Sequence, residues 1–258
     1  MNLNLQNKTA LVCGSTQGIG KATAIALATE GVQITLLARS EEALKKVLQE
    51  LPNSGSQQHG YLVADFSNPD SVKAIVATKN KFHILVNNTG GPRSGFISEA
   101  SLGQFTDAFQ MHVLVNQILA QAVIPFMKSE GFGRIINIIS TSVKEPIPGL
   151  GVSNTIRSAV ANWAKTMAEE LAPFGITVNN ILPGFTDTAR LDQIIKIKAE
   201  RSNTSIEEMT QIMKEYIPAK RFAKPQETAN AVTFLASEAA SYITGINLPI
   251  DGGRTKSL

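Results

Sequence analysis

The amino-acid sequence predicts an α/β fold in which a seven-stranded, doubly wound parallel sheet is covered by helices on both faces. Short apolar runs alternate along the chain with helical patterns, and connections of this length join parallel strands through right-handed crossovers. The chain of 258 residues is 43% hydrophobic, enough to bury one large core, and shows no linker or repeat. We therefore expect a single domain with its ligand at the carboxyl ends of the strands, near the switch in strand order.

The predicted strands are short apolar runs that end at polar or glycine-containing turns. In chain order they are the run that starts at Thr9, then Gln33–Leu37, Tyr61–Ala64, Ile84–Val86, Arg134–Ile139, Thr177–Leu182 and Asn247–Ile250. The sixth strand is broken by Pro183 and Gly184, because proline has no N–H to donate to a neighbouring strand.

Helical patterns fill most of the segments between these strands. An alanine-rich pattern from Lys21 to Glu30 follows the first strand, and a second helix begins near Glu41. The remaining helices are expected at about Pro69–Asn80, Leu102–Lys128, about Ser153–Ala172 and Pro225–Ser237. The segment Phe185–Lys224 is polar and helical only in parts, and it lies between two core elements.

The junction between the first strand and the first helix is the stretch around which the chain is organised. It places Gly14, Gly18 and Gly20 where a strand ends and a helix begins. Backbone N–H groups at such a junction bind anions, usually a pyrophosphate, and glycines let the phosphates approach. The spacing differs from the familiar G-x-G-x-x-G, and an ordinary glycine turn is the alternative for this stretch taken alone.

Composition and charge exclude several classes of function. No run of about 18 apolar residues is present, so no membrane span is expected, and Met1–Lys8 lacks the pattern of a secretory signal. The single cysteine, Cys13, excludes an internal disulfide, and three scattered histidines indicate no metal site. The net charge of +3 is spread along the chain, which argues against nucleic-acid binding. We expect a cytoplasmic protein.

Taken together, these motifs resemble those of the classical short-chain dehydrogenases/reductases over nearly the whole chain, and most closely the 3-oxoacyl-[acyl-carrier-protein] reductase type. The matching positions are Gly14–Gly20, Asp65, Asn87–Gly90, Gly133–Ser140, Pro183-Gly184 with Thr188, Thr244-Gly245 and Asp251–Gly253. The resemblance implies a Rossmann-like NAD(P)-binding domain over residues 1–258, a substrate lid at about 185–224, and a homo-oligomer, either tetramer or dimer.

The resemblance also implies a set of cofactor-binding residues. The set is Gly14, Thr16, Gln17, Gly18, Ile19, Gly20, Arg39, Asp65, Phe66, Asn88, Thr89, Gly90, Arg157, Pro183, Gly184 and Thr188. An acidic residue at the end of the second strand would repel a 2′-phosphate, but this chain has Ala38 followed by Arg39. Because an arginine fork suits a phosphate, NADP(H) is favoured over NAD(H).

Three of these assignments have simpler alternatives. Arg39 could be a surface residue at a strand end, and Asn87-Asn88 could form only a turn. Thr188 could be a solvated residue at the start of a helix instead of a partner of the nicotinamide carboxamide or a phosphate.

Carbonyl reduction in this family relies on a serine, a tyrosine, a lysine and an asparagine that holds a proton-relay water. Ser140 matches the serine, but Ser153, Arg157 and His112 stand at the tyrosine, lysine and asparagine positions. Serine is a poor proton source, and arginine cannot exchange protons near neutral pH. Arg157 could still bind the nicotinamide ribose, while His112 could titrate in the useful range or be a buried structural histidine.

Three other features lie near the expected site. Tyr216, in the lid, could supply an acid or serve only in packing, and Arg93 could bind a substrate carboxylate or phosphate or remain solvated. The small residues of the helix around Trp163 suit burial against a partner subunit; they are Ala159, Ala161 and Ala164.

Two hypotheses follow from these observations. In the first, the protein is an NADP-dependent oxidoreductase that acts on a small-molecule carbonyl or secondary alcohol. Ser140 and Ser153 bind the carbonyl oxygen, Arg157 adds positive field, and the proton comes through water or His112. In the second, it binds NADP(H) without turnover and acts as a sensor or assembly partner.

Overall fold

The computed structural model describes residues 2–55 and 57–257; positions 1, 56 and 258 of the predicted domain lie outside them. Its strands are β1 Thr9–Cys13, β2 Gln33–Ala38, β3 Gly60–Val63, β4 Ile84–Asn87, β5 Gly133–Ile138, β6 Ile176–Pro183 and β7 Asn247–Ile250. All neighbouring pairs are parallel, in the order β3-β2-β1-β4-β5-β6-β7. The predicted seven-stranded sheet is therefore confirmed, with strand ends shifted by at most one residue.

The helices are α1 Gly18–Thr29, α2 Glu41–Glu50, α3 Pro69–Ala77, α4 Leu102–Phe109, α5 Val115–Glu130, α6 Gly151–Leu171, α7 Ala189–Ser202, α8 Ile206–Glu215 and α9 Pro225–Ala236. Local side chains fix several of their starts. Ser40 and Asn68 accept hydrogen bonds from backbone N–H groups of the first turns of α2 and α3, and Ser101 forms a capping box with Gln104.

The segment Leu102–Lys128 is long and largely helical, as predicted, but it is not one continuous α-helix. A turn of π-helix over Gln110–Leu114 separates α4 from α5, although all three segments follow one another without a break in the chain. A wider turn of this kind occurs frequently at functional sites. Its position matters here because it contains His112.

Successive residues of each strand point to opposite faces of the sheet and enter two separate apolar layers. On one face Val12, Leu36 and Val86 pack with α1, α2 and α9, whereas on the other face Leu11, Leu37 and Leu85 pack with α3, α5 and α6. Helices thus cover both faces, as the alternation of elements predicts. No helix of the described ranges 2–55 and 57–257 is long and apolar enough to cross a membrane.

The strand order reverses beside β1, which pairs with β2 on one side and with β4 on the other. The chain after β1 and the chain after β4 therefore leave the sheet next to each other, and a crevice opens between them. This is the position at which open α/β sheets bind ligands.

A row of asparagines crosses the other half of the sheet. The Asn87 amide donates to Asn137 (2.8 Å), Asn137 to Asn180 (2.9 Å) and Asn180 to Asn247 (2.8 Å). These four residues are also direct partners in the strand register from β4 to β7. Because buried amides need partners, the row satisfies most of these polar groups inside the sheet; the exception is Oδ1 of Asn87, which is buried without a partner.

The segment 185–224 folds into α7 and α8 and has an apolar cluster of its own. Leu191, Ile195, Met209 and Met213 are buried in that cluster, against which Phe185 and Phe222 pack. The fork of Arg221 binds both carboxylate oxygens of Glu227 at 2.7 Å, next to the start of α9. The segment is therefore helical in parts, as predicted, and its two helices pack around an apolar cluster of their own.

Candidate functional site

A cleft of about 710 Å³ opens at the carboxyl ends of the central strands, beside the strand switch. This volume lies within the usual range of small-molecule and cofactor sites. With two exceptions, every predicted cofactor-binding and catalytic residue lines it; Gly20 and His112 do not. Residues from six strand ends, those of β1 to β6, and from α6 and α7 therefore meet in one place.

The glycine bend, residues 14–20, forms one wall of the cleft. Gly14 and Gly18 have φ values of +57° and +54°, a left-handed conformation that strains other residues. A Cβ on Gly14 would lie 2.6 Å from the carbonyl oxygen of Asn88, and one on Gly20 would overlap the carbonyl oxygen of Gly14. Gly20 lies behind the bend, where it allows α1 to pack against the turn.

Asn88 holds the bend in place. Its side-chain amide donates to the carbonyl oxygens of Cys13 and Gly14, both at 3.2 Å. The amide is therefore engaged within the protein, and Asn88 does more than form the turn after β4. Thr89 and Gly90 follow it along the cleft wall, and a Cβ on Gly90 would have no atom within 4 Å.

One end of the cleft is formed where β2 and β3 end. Arg39 is exposed there and lines the cleft together with Asp65 and Phe66. Hydrogen bonds from the backbone N–H and hydroxyl of Ser67, followed by the charge of Arg39, lower the pKa of Asp65. The end thus carries an ionised carboxylate and a solvent-facing guanidinium.

The opposite end contains the two predicted serines. The backbone N–H of Ser142 donates to Oγ of Ser140 over 3.1 Å, so the Ser140 hydroxyl proton is free to point elsewhere. Ser153 lies in the first turn of α6, half-buried, and also lines the cleft. Arg157 follows four residues later and so shares a face of α6 with Ser153.

Arg157 is held firmly at this end. Its side chain is buried, Nη1 donates to the carbonyl oxygen of Ile138 over 2.9 Å, and Nε is buried without a partner. Burial and then the nearby charge of Arg190 lower the pKa of Arg157 to about 10. The guanidinium nevertheless remains cationic at neutral pH.

The expectation that His112 titrates in the useful range is wrong. The residue is 2% exposed, and burial followed by the charge of Arg157 lowers its pKa to about 2. It hydrogen-bonds the backbone of Gly90, and its Nε2 has no partner. His112 is therefore a neutral imidazole below the cleft wall, as its structural alternative predicts.

Arg190 is a cleft residue that the sequence analysis missed. It lies in the first turn of α7, lines the cleft and donates from Nη2 to the carbonyl oxygen of Pro92 over 3.0 Å. Arg93, which the sequence suggested for this role, is exposed and does not line the cleft. The only available signal was that Arg190 follows Thr188 by two residues.

Of the residues predicted to act in the lid segment, the structure supports Thr188 but not Tyr216. Thr188 precedes α7, donates to the carbonyl oxygen of Thr186 and lies against Gly18, so it is not a solvated helix start. Tyr216 is 72% exposed and outside the cleft, which contradicts both its catalytic and its packing interpretation.

The small residues of α6 were expected to pack against a partner subunit. Ala161 and Ala164 are instead buried in this chain's own core, and the nearby Trp163 donates a hydrogen bond to Gln117 of α5.

Comparison with known proteins shows that nearly the whole chain is similar to reductases of one family. A sequence profile of the family described as enoyl-(acyl carrier protein) reductase matches residues 14–255. The chain is 34% identical over 257 residues to a 3-oxoacyl-[acyl-carrier-protein] reductase of Aquifex aeolicus, covering 98% of this chain and 99% of that protein.

Solved structures extend this likeness to three dimensions. The L-sorbose reductase of Gluconobacter frateurii, solved with NADPH and L-sorbose, superimposes with a TM-score of 0.93 at 31% identity and full coverage of both chains. A variant of an actinorhodin polyketide ketoreductase, solved with NADPH, gives a TM-score of 0.88 at 28% identity, covering 96% of this chain and 97% of that one.

Proposed function

The chain belongs to the short-chain dehydrogenase/reductase family, and on that premise we propose that it binds NADP(H) in the cleft and interconverts a carbonyl and a secondary alcohol. It is an oxidoreductase, as its membership of the family establishes. The observation that carries the proposal is the single cleft that joins the glycine bend to Ser140, Ser153 and Arg157.

The residues present fit a phosphorylated dinucleotide. Residues 14–20 would hold the diphosphate, because side chains are missing where phosphates approach and the start of α1 offers backbone N–H groups. Asp65 and Phe66 would flank the adenine, and Thr89 and Gly90 the adenosine ribose. Arg39 would bind the 2′-phosphate, which supports NADP(H) over NAD(H). Pro183, Gly184 and Thr188 would contact the nicotinamide end.

At that end three side chains would act on the carbonyl oxygen. NADPH supplies the hydride when it is bound. Ser140 and Ser153 donate hydrogen bonds to the oxygen, and the Arg157 cation stabilises the negative charge that develops there. Arg157 would also orient the nicotinamide ribose through the part of its fork that Ile138 does not use.

The proton that completes the alcohol would come from water. Ser153 is far less acidic than a tyrosine, Arg157 keeps its proton, and His112 is neutral and outside the cleft. Water therefore protonates the oxygen during or after hydride transfer, and no ionisable side chain acts as the proton donor. This arrangement favours carbonyls that accept negative charge easily.

The rest of the chain supports the same site. We propose that residues 185–224 close over the substrate, since α7 contributes Arg190 to the cleft and Thr188 lies against the glycine bend. By resemblance to its family we propose a homo-oligomer, tetramer or dimer, that works in the cytoplasm.

The test is NADPH oxidation, followed by absorbance, with a panel of ketones and diketones. We expect a rate above background for electron-poor carbonyls, and Arg157→Ala should lower kcat by at least about 100-fold, the usual cost of removing one oxyanion donor. Arg93→Ala is the matched control, because Arg93 is exposed and outside the cleft.

Calorimetry with NADPH separates the possible failures. No binding to well-folded protein would contradict the proposal as a whole. Tight NADPH binding without turnover across the panel would favour a sensor or assembly partner. Turnover unchanged in Arg157→Ala would contradict the role of this residue.

A further inference from the structure

The end of the cleft that holds the two serines contains two guanidinium groups, those of Arg157 and Arg190. Both contact the same short segment after β4. Arg190 donates to the carbonyl oxygen of Pro92 over 3.0 Å, and Nη2 of Arg157 lies 3.7 Å from the point that a Cβ on Gly91 would occupy. The two cations are close enough for the charge of one to lower the pKa of the other.

No carboxylate of the described chain neutralises either cation. The ion pairs found in residues 2–55 and 57–257 do not include Arg157 or Arg190. The one acidic residue among the lining side chains is Asp65, at the opposite end, where its carboxylate accepts a hydrogen bond from Ser67. The serine end of the cleft is therefore cationic.

Arg157 also keeps unused hydrogen-bonding capacity. It is 7% exposed, and its Nε is buried without a partner. A buried cation without a counter-charge is costly, and proteins usually pair it or bind an anion beside it. Arg157 is such a buried cation, whereas Arg190 is exposed and adds a second positive charge, so this end of the cleft favours a bound group with negative charge.

We propose that the substrate is an oxo acid whose carboxylate binds Arg190, with its carbonyl oxygen at Ser140, Ser153 and Arg157. This inference rests on the proposed function and names the class of substrate. The carbonyl carbon gains a hydride from NADPH, its C=O π bond breaks, and the oxygen takes one proton from water; NADP⁺ is the other product. The carboxylate is not consumed and serves for recognition.

The experiment compares acids with their neutral esters in the intact enzyme. The probes are 2-oxobutyrate and acetoacetate, each paired with its methyl ester, at saturating NADPH. We expect kcat/KM to favour at least one acid over its ester, and Arg190→Gln to lower that ratio by about 10- to 100-fold, the range of a lost charge-assisted contact. Arg190→Lys should give an intermediate ratio, and Arg93→Gln should leave it unchanged.

Three outcomes would overturn the inference. Acid and ester could be used equally well by the wild type, or the ratio could be the same in Arg190→Gln. Alternatively, Arg190→Gln could weaken NADPH binding while acid and ester activities fall together, which would assign Arg190 to a cofactor phosphate.

If none of the compounds is reduced although NADPH binds, the proposed function fails. The carboxylate site is then tested on its own, by measuring whether an acid binds to the NADP⁺ complex. The NADP⁺ complex would be titrated calorimetrically with 2-hydroxybutyrate and with its methyl ester. Binding of the acid alone, lost in Arg190→Gln, would support the carboxylate site. Equal binding of acid and ester, or no binding, would contradict it.

Discussion

The two ends of the cleft differ in how closely they keep the pattern of their family. The end built from the glycine bend, Asn88 and Asp65 keeps that pattern and is fixed by backbone geometry and amide hydrogen bonds. The serine end keeps Ser140 but has Ser153, Arg157 and His112 at the other three positions. One end keeps the family's residues, whereas the other has a serine in place of the acidic tyrosine and an arginine, which keeps its proton, in place of the lysine.

This difference teaches that cofactor binding and proton supply are separate tasks in this architecture. The glycine bend needs room for phosphates and a fixed backbone, which only a few residues provide. Oxygen polarisation can be supplied by any well-placed cation or hydrogen-bond donor. A chain can therefore lose its titratable acid and keep the rest of the site intact.

The largest effect is expected at the end of the cleft that contains the glycine bend. Gly14→Val would force a side chain into a left-handed position, with its Cβ 2.6 Å from the carbonyl oxygen of Asn88. We expect NADPH affinity to fall more than about 100-fold and stability to fall by about 1–3 kcal/mol. Calorimetry and urea unfolding measure the two effects.

Gly103→Ala is the control for Gly14→Val, because a Cβ there would meet nothing closer than 3.8 Å. It lies in α4 and should bind NADPH like the wild type. An affinity of Gly14→Val within threefold of the wild type, in folded protein, would show that the bend does not carry the cofactor.

At the serine end, the test is to restore the tyrosine and lysine of the family. Ser153→Tyr with Arg157→Lys should raise kcat/KM for neutral ketones by about 10- to 100-fold, because a positioned general acid contributes that much or more. The wild-type rate should be flat from about pH 5 to 9 and fall as Arg157 loses its charge near its pKa of about 10.

The double variant should instead lose activity as its tyrosine deprotonates, at a lower pH. Ser153→Phe with Arg157→Lys is the matched control, since it adds the ring without the hydroxyl. Equal rates in the two double variants would mean that the hydroxyl does not reach the substrate oxygen.

A smaller effect is expected at Arg39, which is exposed and therefore screened by solvent. Arg39→Ala should lower the preference for NADPH over NADH, as the ratio of kcat/KM values, by about tenfold. Arg93→Ala should leave the preference unchanged. A preference for NADH in the wild type would contradict the role given to Arg39.

The smallest effect at neutral pH concerns His112. Its pKa is about 2 in the folded chain because of burial and the charge of Arg157, against about 6.5 unfolded. Below pH 6.5 the unfolded chain binds a proton that the folded chain does not, so stability falls with falling pH, by about 1.4 kcal/mol per unit.

His112→Asn removes this proton linkage. Urea unfolding at pH 6.5 and 5.0 should show the variant losing about 1–2 kcal/mol less than the wild type over that interval. Parallel losses in the two proteins would mean that His112 titrates normally in the folded state.

Much of the fold could be predicted because its signals are local. Apolar runs such as Gln33–Ala38 and breaks such as Pro183-Gly184 mark strands without tertiary information. The π-helix turn at Gln110–Leu114 could not be predicted in this way. It leaves no break in the apolar pattern of the sequence.

The site was predictable where position along the chain determines position in space. Ser153 and Arg157 share a helix face because they are four residues apart, so one correct alignment fixes both. Arg190 and Arg93 show the opposite case. Which of these arginines enters the cleft depends on how α7 packs over the segment after β4. The spacing of residues along the chain does not predict that tertiary contact.

The row of asparagines has a consequence for the whole active edge of the sheet. Gly90, Ser140, Pro183 and Ile250 each lie three positions beyond an asparagine of the row. Sliding β5 by one residue would bring Ile136 or Ile138 opposite the amides of β4 and β6 and leave buried amides unsatisfied. The asparagines thus fix the register of β4, β5 and β6, so that the residues three positions beyond them, Gly90, Ser140 and Pro183, reach the cleft together.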